Sequence, residues 1–428
     1  MNISKKHWSW VPSLYFAQGL PFILINTVSI IIYKRLGLDN AEIAFWTSWL
    51  YLPWVIKPLW SPLLEFFGNR RTWLLYSQLS IGLGLSLLAF FLPGPHFFEA
   101  TLAVFWMMAF MSSTHDIAID GFYLHAMNPT EQAAFTGIRT TFYRLSMILG
   151  QGLLVMEAGN LAVKYAQSAT PSMQNFQDAW SHLFYGLSAF FLVLFAWHTR
   201  TLPHPQSDIP PQVTPKFSDT WLVFKTFFQK KNILIILFVL LFYRFAEAQL
   251  LKMVAPFLMD PIAKGGLGLN EQQIGWAYGT LGIAAVMLGG ILGGLAIAKK
   301  GLHFWIWPMV CILHIPNIIF LVLSYLDAVS YELLCTLLAF EQFGYGFGTT
   351  GYILFLMKHS EGQFKTAHYA IGTGFMALGM MIPGMFSGKI QLYLGSYNHF
   401  FLWVMICTIP GFFCAYFMRK MTPNSELT

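Results

Sequence analysis

Charged residues are scarce in this sequence of 428 residues. Asp, Glu, Lys and Arg together make up 10% of the chain, whereas hydrophobic residues make up 56% and aromatic residues 17%. A soluble globular chain carries roughly 25% charged residues, so most of this protein's surface cannot face water. The composition therefore predicts an integral membrane protein.

Cysteine is also rare, and motifs for catalysis or metal binding are absent from the sequence. Four cysteines lie in apolar segments of the second half, where buried thiols pack rather than form disulfides or bind metals: Cys311, Cys335, Cys407 and Cys414. The sequence contains no phosphate-binding loop, metal-ligand cluster or nucleophile elbow. We therefore expect neither an enzyme nor an ATP-driven pump, and no metal or cofactor.

Long apolar runs recur along the chain, and each is near the roughly 20 residues that a membrane-spanning helix needs. The first run follows a short basic segment and lacks a small-residue cleavage site, so we expect it to be a span and not a signal peptide. Twelve spans are predicted, at 10–33, 43–63, 73–92, 101–127, 134–156, 180–197, 233–258, 274–297, 304–323, 332–357, 367–390 and 399–418.

The basic residues predict the orientation of these spans, because loops rich in Lys and Arg stay in the cytoplasm. With both termini inside, the cytoplasmic side holds about fifteen of the 25 Lys and Arg residues and the opposite side about five. The net charge of +6 is then explained by basic loops that orient the spans and contact lipid headgroups, and we expect no nucleic-acid partner.

A proline-rich segment divides the chain into two halves. Residues 198–232 begin with five prolines and end in an amphipathic stretch rich in Phe and Lys, which favours a linker followed by a helix at the lipid surface. We predict six-helix bundles at 1–197 and 233–428. A similar glycine-to-basic turn follows spans 2 and 8, and repeated halves are typical of secondary transporters.

Ionisable side chains inside spans are costly and normally mark a substrate or ion path. Asp116 and Asp120 share one face of span 4 because they are four residues apart. Spans 4 and 5 form a hairpin turning at about 128–133, so equal depth predicts the pairs Asp116–Arg144 and Asp120–Arg139. These pairs are either packing locks or parts of a transport mechanism.

Spans 7, 8 and 10 add further features. Arg244 and Glu247 are three residues apart and can pair along their own helix, whereas Lys252 can reach the membrane interface. Glu341 has no basic neighbour in the sequence, which suits a proton carrier. The glycines of span 8, Gly289, Gly290, Gly293 and Gly294, favour close helix approach.

The turn after span 2 resembles a signature of the major facilitator superfamily, G-x-x-x-D-R-x-G-R-R. The sequence retains Gly68 and Arg70 but departs from the signature at four positions: Ser61, Glu65, Phe66 and Asn69. We therefore expect a weaker cytoplasmic latch than is usual in that superfamily.

Within that superfamily the chain resembles the AmpG-type muropeptide permeases, which are related to acetyl-coenzyme A transporters. The matching stretches are 16–21, 57–63, 116–120, 143–147, 348–350 and 396–410. The Asp120-Gly121 variant also resembles siderophore importers. The resemblance implies an all-α membrane protein with twelve transmembrane helices in two pseudo-symmetric six-helix halves, and proton-driven import through a central site on spans 1, 4, 7 and 10.

We accordingly predict a monomeric, multi-pass transporter of the inner membrane that imports a large, polar, anionic solute with protons. The solute is muropeptide-like; a siderophore is the alternative, and a receptor without transport is less favoured. The predicted proton-coupling residues are Asp116, Asp120 and Glu341. The predicted substrate-binding residues are Gln18, Arg144, Arg244 and Glu247. The predicted ion-pair gating residues are Lys57, Arg139, Glu65, Arg70 and Arg71.

Overall fold

The computed structural model of the protein is almost entirely helical. It describes residues 5–66, 68–168, 170–206, 208, 217–326, 328–362 and 364–422, without the side chains of a few positions such as Glu65. Within these ranges no residue lies in a β-strand. The predicted all-α fold class is confirmed.

The described α-helices follow one another with short connections, and several pairs together make one predicted span. They are α1 Val11–Ile23, α2 Ser29–Arg35, α3 Asn40–Trp49, α4 Leu52–Phe66, α5 Arg70–Phe91, α6 Phe97–Ala126, α7 Pro129–Met147, α8 Leu154–Ala166, α9 Met173–Thr201, α10 Phe217–Phe228, α11 Ile233–Phe242, α12 Phe245–Met259, α13 Glu271–Ile274, α14 Ile283–His314, α15 Ile318–Leu323, α16 Tyr331–His359, α17 Lys365–Leu394, α18 Tyr397–Ile406 and α19 Ile409–Met421.

Nine helical stretches of the described chain are long and apolar enough to cross a membrane. One of them, Glu271–Leu323, is 53 residues long; it leaves helical geometry at Gly301, where φ is +73°, and covers predicted spans 8 and 9. Predicted spans 2 and 10 coincide with α3–α4 and α16. The helices are thus consistent with twelve spans.

Short polar side chains start many of these helices. The side chains of Asn69, Asn128, Ser172 and Asn270 each accept a hydrogen bond from the backbone N–H three residues later. Such caps satisfy backbone donors that have no partner within the helix. The start of each of these helices is therefore fixed by the side chain of the residue just before it.

Several spans are interrupted. Spans 1, 5 and 8 each contain a π-helical turn, at Leu24–Val28, Ile148–Leu153 and Gly275–Gly282. Span 7 breaks between α11 and α12, and span 9 breaks between α14 and α15 at a 3-10 turn that contains Pro316. Interruptions of this kind release backbone groups and are frequent at functional sites.

Contacts divide the chain into two compact units. Unit 1 comprises Met1–Gly37 and Ile56–Lys216, and unit 2 comprises Leu38–Val55 and Phe217–Thr428. The segment Leu38–Val55 packs with α17 in unit 2, although chain order places it in the first half. A Cβ on Gly388 would lie 2.1 Å from the Asn40 carbonyl oxygen, so α3 and α17 touch through their backbones. The boundaries predicted at 197 and 233 remain a prediction.

The amphipathic stretch predicted before span 7 forms α10, which packs on α17 within unit 2. Phe227 is fully buried, and its ring stacks on Phe375 with 6.1 Å between centroids. Trp221 and Phe228 remain exposed. One aromatic residue therefore anchors this helix and leaves an apolar edge at the surface.

Helices α14 and α16 approach closely at two of the four glycines predicted to allow it. A Cβ on Gly289 would lie 2.2 Å from the Phe343 carbonyl oxygen, and one on Gly293 would lie 2.9 Å from the Phe347 carbonyl oxygen. A Cβ on Gly294 would meet no atom within 4 Å. Close approach therefore depends on Gly289 and Gly293 but not on Gly294.

We expect Gly289→Ala to lower the thermal unfolding midpoint of the purified protein, because the methyl group must displace the backbone of α16. Gly294→Ala is the matched control in the same helix. It should leave the midpoint unchanged or stabilise the fold by about 0.4–1 kcal/mol, since alanine restricts the unfolded chain. Equal midpoints for the two variants would show that close approach at Gly289 is not required.

Candidate functional site

The two aspartates of α6 lie in different surroundings within unit 1. The Asp116 side chain is 14% exposed and its Oδ2 lies 3.9 Å from the Lys57 Nζ of α4. The Asp120 side chain is 55% exposed and its Oδ1 lies 3.9 Å from the Arg139 Nη1 of α7. Both distances exceed a hydrogen bond, so each is a loose ion pair. Asp116 carries the larger desolvation cost because it is better buried.

Arg144 does not pair with Asp116 in the described part of the chain. Its Nη1 lies 3.5 Å from the Met147 sulfur, and the partner of Asp116 in an ion pair is Lys57. Equal depth across a hairpin sets the height of a side chain but not the face of its helix. Arg139 and Arg144 are five residues apart, about 140° around an α-helix, so both cannot face the aspartates.

Arg139 is held between two tyrosines as well as near Asp120. It donates a hydrogen bond to the Tyr15 hydroxyl at 3.2 Å, and its guanidinium lies 5.4 Å and 5.1 Å from the ring centres of Tyr15 and Tyr123. These cation–π contacts fix the cation on α1, α6 and α7 together. Gln18, predicted to bind substrate, is buried on α1 one turn after Tyr15.

The predicted gating residues Arg70 and Arg71 begin α5, where an aspartate that sequence reasoning missed binds them. The Asp208 carboxylate accepts hydrogen bonds from the Arg70 N–H at 2.8 Å and the Arg71 N–H at 3.0 Å. The Arg71 Nη2 donates to the Thr199 carbonyl at 2.6 Å, at the end of α9. The cluster of Arg70, Arg71, Asp208 and Thr199 is called the α5 anchor below.

Contacts at the start of α5 explain Asn69, which departs from the superfamily signature, and Gly121, which follows Asp120. Asn69 caps α5 by accepting from the Thr72 N–H at 2.8 Å, so it serves the helix start rather than an ion pair. A Cβ on Gly121 would lie 2.5 Å from the Arg70 Cδ and Nε, so a side chain at this position would displace the Arg70 side chain. The Glu65 side chain lies outside the described part of the chain, and its predicted gating role stays a prediction.

In unit 2, Glu247 binds a histidine rather than Arg244. Its Oε1 lies 2.9 Å from His314 Nδ1 and accepts a hydrogen bond from Asn317 Nδ2 at 3.3 Å. All three side chains are buried. Arg244 and Glu247 thus form no direct ion pair along their helix, because a partner on another span is closer, although the two charges attract each other. His314 and Asn317 flank Pro316 in an apolar run, which is the signal that could have identified them.

Arg244 lies at the break in span 7, immediately before α12. It donates a hydrogen bond to the Tyr345 hydroxyl and its guanidinium lies 4.9 Å from the centre of that ring. Its buried Nε has no hydrogen-bond partner among the described residues. Neither Gly nor Pro occurs near 243–244, so local sequence does not predict this break.

Glu341 is buried in α16 without a base beside it. It is 4% exposed, and its Oε2 accepts a hydrogen bond from Gln342 Nε2 at 2.8 Å. The ion pairs of the described chain do not include it. A neutral amide as its neighbour leaves the cost of a buried negative charge largely uncompensated.

Lys252 does not reach the membrane interface, contrary to the prediction from its position near the end of span 7. The residue is 4% exposed, and its Nζ donates a hydrogen bond to Thr47 Oγ1 at 3.1 Å. The Tyr51 ring centre lies 5.5 Å from the same nitrogen. The segment Leu38–Val55 covers the side chain, which sequence distance alone could not predict.

Comparison with known proteins extends these observations. The family model of the Major Facilitator Superfamily matches residues 13–388. An anhydromuropeptide permease of Escherichia coli K12 is 27% identical over 93% of this chain and 77% of that protein. An uncharacterized protein of Haemophilus influenzae is 25% identical over 96% of this chain and 94% of that protein. The resemblance to muropeptide permeases is thus confirmed.

The fold resembles solved transporter structures. A mutant form of the nucleoside transporter NupG superposes with a TM-score of 0.70 and 16% identity, covering 98% of this chain and all of that one. Identity at this level establishes shared architecture alone.

We expect Asp208→Asn to lower the thermal unfolding midpoint, because a neutral amide accepts from the α5 N–H groups with one oxygen only and loses its attraction for Arg70. The loss should be about 1 kcal/mol, as for other helix caps. Asp178→Asn, at a partly exposed position of α9 where the carboxylate accepts a hydrogen bond from the Gln174 side chain at 2.9 Å, is the control and should unfold like the wild type, because the amide oxygen can accept the same bond. An unchanged midpoint for Asp208→Asn would contradict the anchor.

Proposed function

This chain belongs to the Major Facilitator Superfamily, and we propose that it imports a large, polar, anionic solute related to muropeptides together with protons. It is a multi-pass membrane transporter and not an enzyme. The proposal places it in the inner membrane with both termini in the cytoplasm, as the distribution of Lys and Arg predicts.

The solute class rests chiefly on one observation. The similarity to the anhydromuropeptide permease extends over 93% of this chain, so it includes most of both units. Buried cations support an anionic solute, because a solute carboxylate can compensate them. Gln18, Arg244 and Glu247 are proposed to contact the solute. Arg144 is proposed as a further cation for it, since no acid of the described chain neutralises it.

A siderophore as solute gains no support from Gly121. That glycine was the feature shared with siderophore importers, but Arg70 lies against it, and a side chain there would have to displace the Arg70 side chain. The variation therefore has a packing cause inside unit 1.

Proton coupling is proposed for two buried acids. Asp116 is mostly buried and its ion pair with Lys57 is loose, and Glu341 has an amide as its neighbour. Protonation removes the cost of a buried charge, so each acid can alternate between a neutral and an ionised state as its surroundings change. Asp120 is half-exposed and is the weaker candidate.

The remaining charged residues are proposed to act as gates. Lys57 and Arg139 form pairs at 3.9 Å, which are long enough to open without a large loss of energy. Arg70 and Arg71 are held by the α5 anchor, and Glu65 belongs to the same turn. Alternating access needs contacts that form in one state and break in another.

In proteoliposomes, we expect uptake of a labelled anhydromuropeptide to exceed equilibrium only when a pH gradient, acidic outside, is imposed. A gradient of one unit is worth about 1.4 kcal/mol per proton, which corresponds to roughly tenfold accumulation. Collapse of the gradient with a protonophore is the control. Accumulation that is indifferent to the gradient would sink proton coupling.

We expect Asp116→Asn and Glu341→Gln to fold normally but to lose the roughly tenfold accumulation, because neither amide can exchange a proton. Exchange of solute down its own gradient should survive. Glu332→Gln, at an exposed position of the same helix as Glu341, is the matched control. If both test variants accumulate solute like the wild type, the assignment of the proton path is wrong.

A further inference from the structure

Lys252 is a buried cation that the described chain does not neutralise. Its polar partner is the Thr47 hydroxyl at 3.1 Å, and the Tyr51 ring lies beside it. No Asp or Glu of the described residues forms an ion pair with it. A hydroxyl and a ring face offset only part of the cost of removing an ammonium group from water.

A glycine on the neighbouring helix α17 leaves room for the Lys252 side chain. A Cβ on Gly384 of α17 would lie 3.2 Å from the Lys252 Cγ and 3.0 Å from the Ala248 carbonyl oxygen. Because Gly384 has no side chain, the aliphatic part of Lys252 fits between α12 and α17. An apolar residue of similar size would fill this space without the free-energy cost of burying an ammonium group, so packing alone does not explain a lysine here.

Arg244 is a second cation on the same helix, and the direct ion pairs of the described residues do not include it either. Glu247 is the nearest acid along the chain and attracts the Arg244 charge, but its Oε1 contacts His314 and Asn317 and not Arg244. Tyr51, beside Lys252, lies within electrostatic range of Arg244. The two cations are eight residues apart, which is about 12 Å along a helix axis.

We propose that Lys252 and Arg244 form a two-point recognition site for a solute that carries two anionic groups, carboxylate or phosphate, at separate positions. The site rests on the proposed function, since it concerns the solute that is transported. A compact monoanion can neutralise one of the two cations, whereas an extended peptide with carboxylates at separate positions can neutralise both. The segment Leu38–Val55 covers the Lys252 end through Thr47 and Tyr51.

The test is equilibrium binding of an anhydromuropeptide, and of its carboxyl-amidated derivative, to purified full-length protein. We expect Lys252→Met to weaken binding of the anhydromuropeptide about tenfold to a hundredfold, the range of a hydrogen bond to a charged group. It should scarcely change binding of the amidated derivative. Lys252→Arg, which keeps the charge, should recover part of the affinity.

Lys389→Met is the matched control. Lys389 is also next to the covering segment, with its Nζ 5.3 Å from the Phe45 ring centre, but it is exposed; this variant should bind like the wild type. The thermal unfolding midpoint provides a second measurement. Lys252→Met should be at least as stable as the wild type, because removal of a buried charge relieves its cost.

The outcomes test the recognition site and the proposed function separately. If the wild type binds the anhydromuropeptide and Lys252→Met binds it equally well, the recognition site is wrong and the function stands; a lowered midpoint would then make Lys252 a packing lock. If the wild type binds only a carboxylate-bearing ferric siderophore, and Lys252→Met loses it, the site stands and the solute class is wrong. If the wild type binds neither ligand, both are wrong.

Discussion

A charged side chain inside a membrane span needs a partner that offsets its charge. The charged residues of this structure differ in how closely such a partner lies. The Glu247–His314 pair is short and buried, and Asn317 donates to the same carboxylate oxygen, so it holds spans 7 and 9 together. The Asp116–Lys57 and Asp120–Arg139 pairs are longer and can open. Lys252 and Glu341 are buried, and the described residues that contact their charged groups are neutral. In the function that we propose, a solute or a proton compensates the charges that the protein compensates least.

The interrupted helices place these charges. Arg244 lies at the break in span 7, and His314 lies at the end of α14, before the 3-10 turn of span 9. The π-helical turn of span 1 contains Asn26, whose buried side-chain oxygen has no hydrogen-bond partner among the described residues. Each interruption removes regular backbone hydrogen bonds at a point where a polar side chain is present. Polar groups are thus concentrated where helix geometry fails, as in other transporters with discontinuous helices.

Much of the fold was predictable, because hydropathy and chain length alone locate membrane spans. The charged residues were also predictable, since they stand out in apolar runs; their partners were not. Arg144 shows the reason: depth follows from a hairpin, but contact also depends on the helix face. Lys252 and Glu247 show a second reason, because Thr47 and His314 are distant in sequence and only tertiary packing brings them close. Asp208 lies within the proline-rich segment and gives no local sign that it caps α5.

We propose coupled movement of solute and protons through the uncompensated charges. Its most direct test is proton movement during uptake, measured with a pH-sensitive dye in proteoliposomes that start without a pH gradient. Addition of an anhydromuropeptide outside should make the external medium more alkaline in the wild type and not in Glu341→Gln. Entry of the solute into wild-type vesicles with no change in external pH would contradict the account.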